Sequence, residues 1–334
     1  MERQIKTVLT TVNYEGWHWD KLAAALAPAN IIRADKNDTK AISEALKEAD
    51  AAILGGDISD QILSEGKNLK WIHCDHAGLN FSARPEIFQR GIMLTGSAGR
   101  SGPVLAEHTF FLALSLIYKI HELSDQQKAH VWGGRMYVES RGLYSKTMGI
   151  IGMGFTGREV AKRAKVFGMN VLGYDRNCGE IPEGVDEMFC ADKGERVDEL
   201  LRRSDILVLS VRLSDETYHM IDGRAFEMMK STSLLINMAR GSVVDEAALA
   251  TALLTGQIGG AGCDTFEYEP LDSDSPLWDL PNMVITPHCT PEMPDLVAQS
   301  LEIICDNINR YREGRPMRNQ LAKRDVYTKT RPKE

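Results

Sequence analysis

Short apolar runs separated by amphipathic stretches organise most of this chain. Thr7 to Thr11, Asn30 to Arg33, Ala51 to Leu54, Leu69 to Cys74 and Gly91 to Leu94 have the length of buried strands, and stretches such as Lys40 to Lys47 carry apolar residues at helical spacing. The alternation predicts an open parallel sheet. From Pro103 to about His121 the pattern turns into one long, strongly apolar helix through Leu105, Phe110, Phe111, Leu114 and Leu116, which we read as crossing into a second domain. Further strands are expected at Met148 to Ile151, Asn170 to Tyr174, Ile206 to Ser210, Ser233 to Met238, Gly260 to Asp264 and Met283 to Ile285, a second doubly wound α/β array. A helix from Glu292 to Arg312, with Leu296, Ile303, Ile304 and Ile308 on its apolar side, is expected to return to the first domain. The expected division is 1–102 plus 292–320 for one domain and 103–291 for the other, with 321–334, polar, basic and aperiodic, as a mobile tail.

One strand-to-helix junction in the second array carries chemistry. Gly152-Met-Gly154-Phe-Thr-Gly157 follows the apolar run Met148 to Ile151, and Val160, Ala161, Ala164 and Phe167 recur behind it at helical spacing. A G-x-G-x-x-G alone is weak evidence in a chain of 28 glycines, but strand, tight turn and helix in sequence make it a Rossmann-type dinucleotide fingerprint. The first glycine permits the turn, the second admits a pyrophosphate and the third lets helix approach sheet. The next strand ends in Asp175, whose carboxylate would accept the ribose hydroxyls of NAD and repel a 2′-phosphate. Arg176 beside it could meet such a phosphate, which leaves NADP open.

Composition narrows the partners. At 334 residues the chain can bury two cores, and its net charge of −8, with no basic block before Lys323, argues against nucleic acid or an anionic membrane as primary partner. The N-terminal apolar run is too short for a signal peptide, and no 18-residue apolar stretch occurs. Six cysteines without a C-x-x-C pair fit a reducing, cytoplasmic setting, and no His or Cys cluster has metal-ligand spacing, so no metal is expected.

Three reactive side chains follow successive strands of the second array, where ligands sit in doubly wound sheets: Arg240, Glu269 and His288. Each alone is as well explained as a surface group, a turn residue or a helix cap. Together, behind a dinucleotide turn, they match what reduction of a 2-keto acid requires. His288 would give a proton to the developing alkoxide, Arg240 would bind the carboxylate and polarise the carbonyl, and Glu269 would orient the imidazole. In the oxidative direction neutral His288 would be the base.

At these residues the chain resembles the D-isomer-specific 2-hydroxyacid dehydrogenases, through four ordered motifs: GIIGMGFTGR from Gly149, NMARGSVVDEAAL from Asn237, GCDTFEYEP from Gly262 and TPHCTP from Thr286. The resemblance covers roughly residues 5–318. It implies two doubly wound parallel-sheet domains, a Rossmann NAD-binding domain and a flavodoxin-like substrate domain, a site spanning both, and a homodimer joined mainly through the nucleotide domain. It places Arg240, Glu269 and His288 at the catalytic positions. It also puts Phe155 and Thr156 on the pyrophosphate, Val211 and Arg212 along the adenine, Met238 and Ala239 in backbone contact, Asp264 on the nicotinamide amide and Val104 facing the cofactor. Backbone groups around Ala77, Gly78 and Leu79 would hold the substrate carboxylate.

Departures from the family pattern bear on substrate. Asp75 to Asn80 replaces a Gly-Val-Asp run, and Arg100 stands near the expected hinge, either as a second anion contact or in a salt bridge to the neighbouring domain. His76 is equally open between substrate contact and turn residue, and Arg212 stands where the family often has Pro. Glu269, where formate-oxidising relatives carry Gln, argues against formate. The leading expectation is a glyoxylate- or hydroxypyruvate-type reductase, with a short phosphoglycerate dehydrogenase and an NAD-sensing, corepressor-like regulator as the alternatives.

Overall fold

The computed structural model describes residues 3–132, 142–290 and 293–329. The chain forms two compact units, Met1–Arg100 with Ser214–Glu216 and Met293–Glu334, and Ser101–Leu213 with Thr217–Glu292. The expected cut at 291/292 falls outside the described residues, and the inclusion of Ser214–Glu216 in the first unit was not anticipated.

In the first unit, β1 (Thr7–Thr10), β2 (Asn30–Arg33), β3 (Ala51–Leu54), β4 (Trp71–Cys74) and β5 (Met93–Gly96) alternate with α1 (Gly16–Leu26), α2 (Thr39–Leu46), α3 (Asp60–Glu65) and α4 (Pro85–Gln89). Among the described residues the strands form an all-parallel sheet in the order β2-β1-β3-β4-β5, the flavodoxin-like order. β1, β3 and β4 are buried throughout, which is why they read as continuous apolar runs, whereas the edge strand β2 is half exposed. The period of two sends Leu9 and Ile72 to one core with Ile42 and Leu46, and Val8, Ile53 and Trp71 to the other with Leu22 and Leu26. Asp38 and Ser59 start α2 and α3 by accepting the N–H groups of Ala41 and Ile62.

The second core is completed from far along the chain by α11 (Leu296–Arg312), which contributes Leu301, Ile304, Ile308 and Tyr311. The Tyr311 ring stacks on Trp71 at 5.3 Å. The expected mobile tail is corrected for residues 321–329. Leu321 is buried in the first core and its N–H donates to Leu94 O, Tyr327 is buried, and the Thr328 N–H and hydroxyl both donate to the Asp215 carboxylate. A few apolar residues in a polar, basic stretch have no periodicity to announce their burial; the rest of the expected tail, 330–334, lies outside the described residues.

The second unit contains α5 (Gly102–Ile117), α6 (Ile120–Lys128), β6 (Thr147–Ile151), α7 (Phe155–Val166), β7 (Asn170–Asp175), β8 (Glu187–Cys190), α8 (Asp198–Arg203), β9 (Ile206–Leu209), α9 (Gly223–Met228), β10 (Leu234–Asn237), α10 (Glu246–Leu254), β11 (Gly260–Cys263) and β12 (Met283–Ile285). Its described strands form one parallel sheet ordered β12-β11-β10-β9-β6-β7-β8, so the strand order reverses at β6 and β9. That reversal opens a crevice at the strands' carboxyl ends. The sequence pattern missed β8, a half-buried edge strand whose Glu-Met-Phe-Cys shows no continuous apolar run. The expected single helix to His121 instead breaks after Ile117, because Lys119 adopts a left-handed φ of 48°. Among the described residues no single helix is long and apolar enough to cross a membrane; α5 and α6 pass that test only as a pair bent by 65°, and Ala106, Phe110, Leu112 and Ala113 of α5 pack into the core over Met148 and Ile150.

Candidate active site

The turn between β6 and α7 shows why each glycine is needed. Gly152 has φ +97°, and a Cβ there would stand 2.6 Å from Val211 N. A Cβ on Gly157 would stand 2.1 Å from Gly152 O, so helix and turn touch backbone to backbone. Gly154, by contrast, would place a Cβ with nothing within 4 Å: its face is open. It caps α7 without a side-chain hydrogen bond, leaving the first N–H groups of the helix, those of Phe155, Thr156 and Gly157, without intrahelical partners. An open glycine before bare helix N–H groups suits a pyrophosphate. Asp175, at the end of β7, accepts the Met153 N–H at 2.7 Å, which ties the tip of the turn to the end of the neighbouring strand. Arg176 is half-buried beside it, and its carbonyl accepts the Asp192 N–H. Of the other expected cofactor residues, Phe155 is exposed, Val104, Thr156, Val211 and Arg212 are half-buried, and Met238 and Ala239 are buried.

The same edge of the sheet carries the reactive residues. Arg240 follows β10, with its guanidinium Nη1 donating to Ala239 O at 2.7 Å. Gly241 lies so close to the segment after β11 that a Cβ would fall 1.8 Å from Phe266 C, so only glycine lets these two loops meet. Glu269 turns back on its own loop, where Oε1 accepts the Phe266 N–H at 2.9 Å, and its Oε2 meets His288 Nδ1 at 2.8 Å. The loop has a second carboxylate clasp that the sequence reading did not single out: Glu246, first residue of α10, accepts the Glu267 N–H, while the Glu267 side chain meets His219 Nε2 at 3.1 Å.

Electrostatics bias the pair toward an ionised form. The hydrogen bond with Glu269 raises the His288 pKa above its ordinary value, against the opposing effects of burial and of the Arg240 charge. Burial by itself would raise the Glu269 carboxyl, but the bonds from His288 and Phe266 and the charges of His288 and Arg240 hold it below the usual carboxylate range. With Nδ1 engaged by Glu269, Nε2 is the nitrogen left to exchange a proton with a ligand.

Asp264, expected on the nicotinamide amide, is engaged within the protein. It is 2% exposed, and both its oxygens face the 286–290 loop: Oδ1 accepts the Thr286 hydroxyl at 2.6 Å and the Cys289 N–H at 3.1 Å, and Oδ2 accepts the Thr290 hydroxyl at 3.1 Å. His108 of α5 closes the other side, with Nδ1 2.8 Å from Thr290 Oγ1 and Nε2 3.1 Å from Thr286 Oγ1. Neither His108 nor the two threonines was among the candidates; only the symmetry of Thr-Pro-His-Cys-Thr hinted at them.

In the first unit, Ala77 is exposed and Gly78 half-buried after β4, while the Leu79 side chain is buried in the core. Their loop is pinned by Asp75, whose carboxylate accepts the Tyr14 hydroxyl at 2.7 Å, the Ser97 hydroxyl at 2.9 Å and Arg100 Nη1 at 3.2 Å. Arg100 also donates to Ser300 Oγ at 2.9 Å. Of the two readings left open for Arg100, the salt bridge to the neighbouring domain is corrected: its salt bridge is to Asp75 of its own unit. His76 approaches Asp57 at 3.5 Å. Among the described residues no group of three or more His, Cys, Asp or Glu side chains is arranged to hold a metal ion.

Comparison with known proteins agrees with this architecture. Residues 110–290 match the model for the D-isomer specific 2-hydroxyacid dehydrogenase NAD binding domain. A glyoxylate reductase of Korarchaeum cryptofilum is 33% identical over 82% of this chain and 83% of its own length. A D-3-phosphoglycerate dehydrogenase of Methanocaldococcus jannaschii is 31% identical over 87% of this chain but only 54% of its own. The crystal structure of a D-isomer specific 2-hydroxyacid dehydrogenase from Xanthobacter autotrophicus, in complex with NADPH and MES, superposes with a TM-score of 0.80 at 26% identity, covering 97% of this chain and all of that one. Fold, strand order and relatives over most of its length therefore agree that this chain belongs to the D-isomer-specific 2-hydroxyacid dehydrogenase family, as an NAD(P)-linked oxidoreductase of 2-keto and 2-hydroxy acids.

Proposed function

We propose that the protein reduces a small 2-keto acid of the glyoxylate or hydroxypyruvate type to the D-2-hydroxy acid, with NADH preferred. The observation that carries this reading is the 2.8 Å bond between His288 Nδ1 and Glu269, which fixes the tautomer and raises the imidazole's affinity for a proton. When bound, the reduced dinucleotide supplies the hydride. Phe155 and Thr156 would hold its pyrophosphate and Asp175 its ribose. The carboxylate of Asp175 supports NADH over NADPH. Arg240 binds the substrate carboxylate and stabilises charge on the carbonyl oxygen, and His288 Nε2 delivers the proton to that oxygen. The N–H groups of Ala77, Gly78 and Leu79, none of which donates to an acceptor among the described residues, suit a carboxylate in the same way as the first turn of α7 suits a phosphate.

The test is oxidation of NADH and NADPH across glyoxylate, hydroxypyruvate, pyruvate, phenylpyruvate and 3-phosphohydroxypyruvate, with His288→Ala alongside. A two- or three-carbon keto acid should give the highest kcat/KM, and His288→Ala should lose roughly 100-fold or more in turnover while keeping its NADH affinity. Preference for 3-phosphohydroxypyruvate would reassign the protein to phosphoglycerate oxidation. Near-native turnover by His288→Ala would remove the proposed proton donor.

A further inference from the structure

We infer that His108 and Asp264 act together as a clamp that fixes His288, with Thr286 and Thr290 as its two grips. The inference rests on the reading of His288 as proton donor. His288 has a left-handed φ of 50°, a conformation uncommon outside glycine, and it stands at the exposed tip of its loop. Packing therefore does not hold it. Glu269 orients the ring through one nitrogen but does not restrain the backbone on either side of it.

The clamp does. Thr286, two residues before His288, and Thr290, two residues after, each bond to both Asp264 and His108, so the loop is stapled at both ends to the same two buried side chains. The Cys289 N–H adds a third bond to Asp264, and the His288 N–H donates back to Thr286 O at 3.0 Å, closing the turn. The two hydroxyls donate to Asp264, and His108 Nε2 lies 3.9 Å from Asp264 Oδ1, so the two buried side chains sit side by side beneath the loop. His108, Thr286 and Thr290 touch neither the dinucleotide turn nor Arg240 in any bond described; they act on the reaction through His288, as positioning residues.

Thr290→Val keeps the volume and removes one grip; Thr290→Ser keeps the grip. We expect Thr290→Val to lower kcat at least about 10-fold with NADH affinity within about twofold of the parent, and Thr290→Ser to restore kcat to within about threefold. The imidazole resonance of His288 should broaden in Thr290→Val and sharpen again in Thr290→Ser, a readout that does not need turnover. His108→Asn, read in the same way, replaces Thr290→Val if that variant fails to fold. Parent-like kcat and an unchanged His288 resonance in a folded Thr290→Val would overturn the clamp. Running His288→Ala in parallel separates the outcomes: if that variant retains turnover, the proton-donor reading has failed, whereas a dead His288→Ala beside a fully active Thr290→Val condemns the clamp alone.

Discussion

His288 and Glu269 share one hydrogen bond that moves both groups in opposite directions, His288 up and Glu269 down. The sign of the pH dependence follows. Reduction needs the imidazolium, so its rate is full below the raised His288 pKa and falls as pH rises through it; oxidation needs neutral His288 and gains over the same interval. Glu269→Gln removes the main cause of the rise, so the alkaline limb of the reduction profile should move to lower pH and turnover at alkaline pH should drop by roughly 10-fold or more. A limb that stays in place in Glu269→Gln would mean that another group sets it. These residues were legible in the sequence because each directly follows a strand whose end faces the crevice. The clamp was not, since His108 and Thr290 are 182 positions apart and meet only through packing of α5 on the sheet. Arg100 was left open between an anion contact and an inter-domain salt bridge, because spacing along the chain does not announce Asp75 and Ser300, the partners it has within its own unit.

At the scale of elements, the β6–turn–α7 unit separates two functions of glycine that its motif cannot distinguish. An alanine at Gly157 would press on the carbonyl of Gly152, backbone against backbone, and should destabilise the protein by about 1–3 kcal/mol as well as weaken cofactor binding. An alanine at Gly154 meets nothing within 4 Å, so thermal stability should hold while NADH affinity falls at least about 10-fold. Melting curves and NADH fluorescence titrations of the two variants check this; equal losses of stability would refute it. The strands were readable where burial on both faces makes an unbroken apolar run, as in β3 and β9. β8 was not, because an edge strand buries one face only, and the break at Lys119 was not, because a single left-handed residue leaves no mark on hydrophobic spacing.

For the whole molecule, the two parallel sheets were foreseeable from alternation, but the extent of the first unit was not. Leu321 and Tyr327 are buried parts of it, so a chain ended at Gln320 should lose roughly 3–5 kcal/mol and melt several degrees lower than the full chain. Equal melting temperatures would show that the segment contributes nothing. The position of α11 also sets an order of events during synthesis. A ribosome releases β1 to β5 first, yet Leu301, Ile304, Ile308 and Tyr311, which cover Val8, Leu22 and Trp71, emerge only after the whole of 101–292 has been made. For that interval α1 alone covers this face of the nascent sheet, and the apolar surface that α11 later takes is open to chaperones or to another nascent chain, while the later-made unit has its described strands before the earlier one is finished.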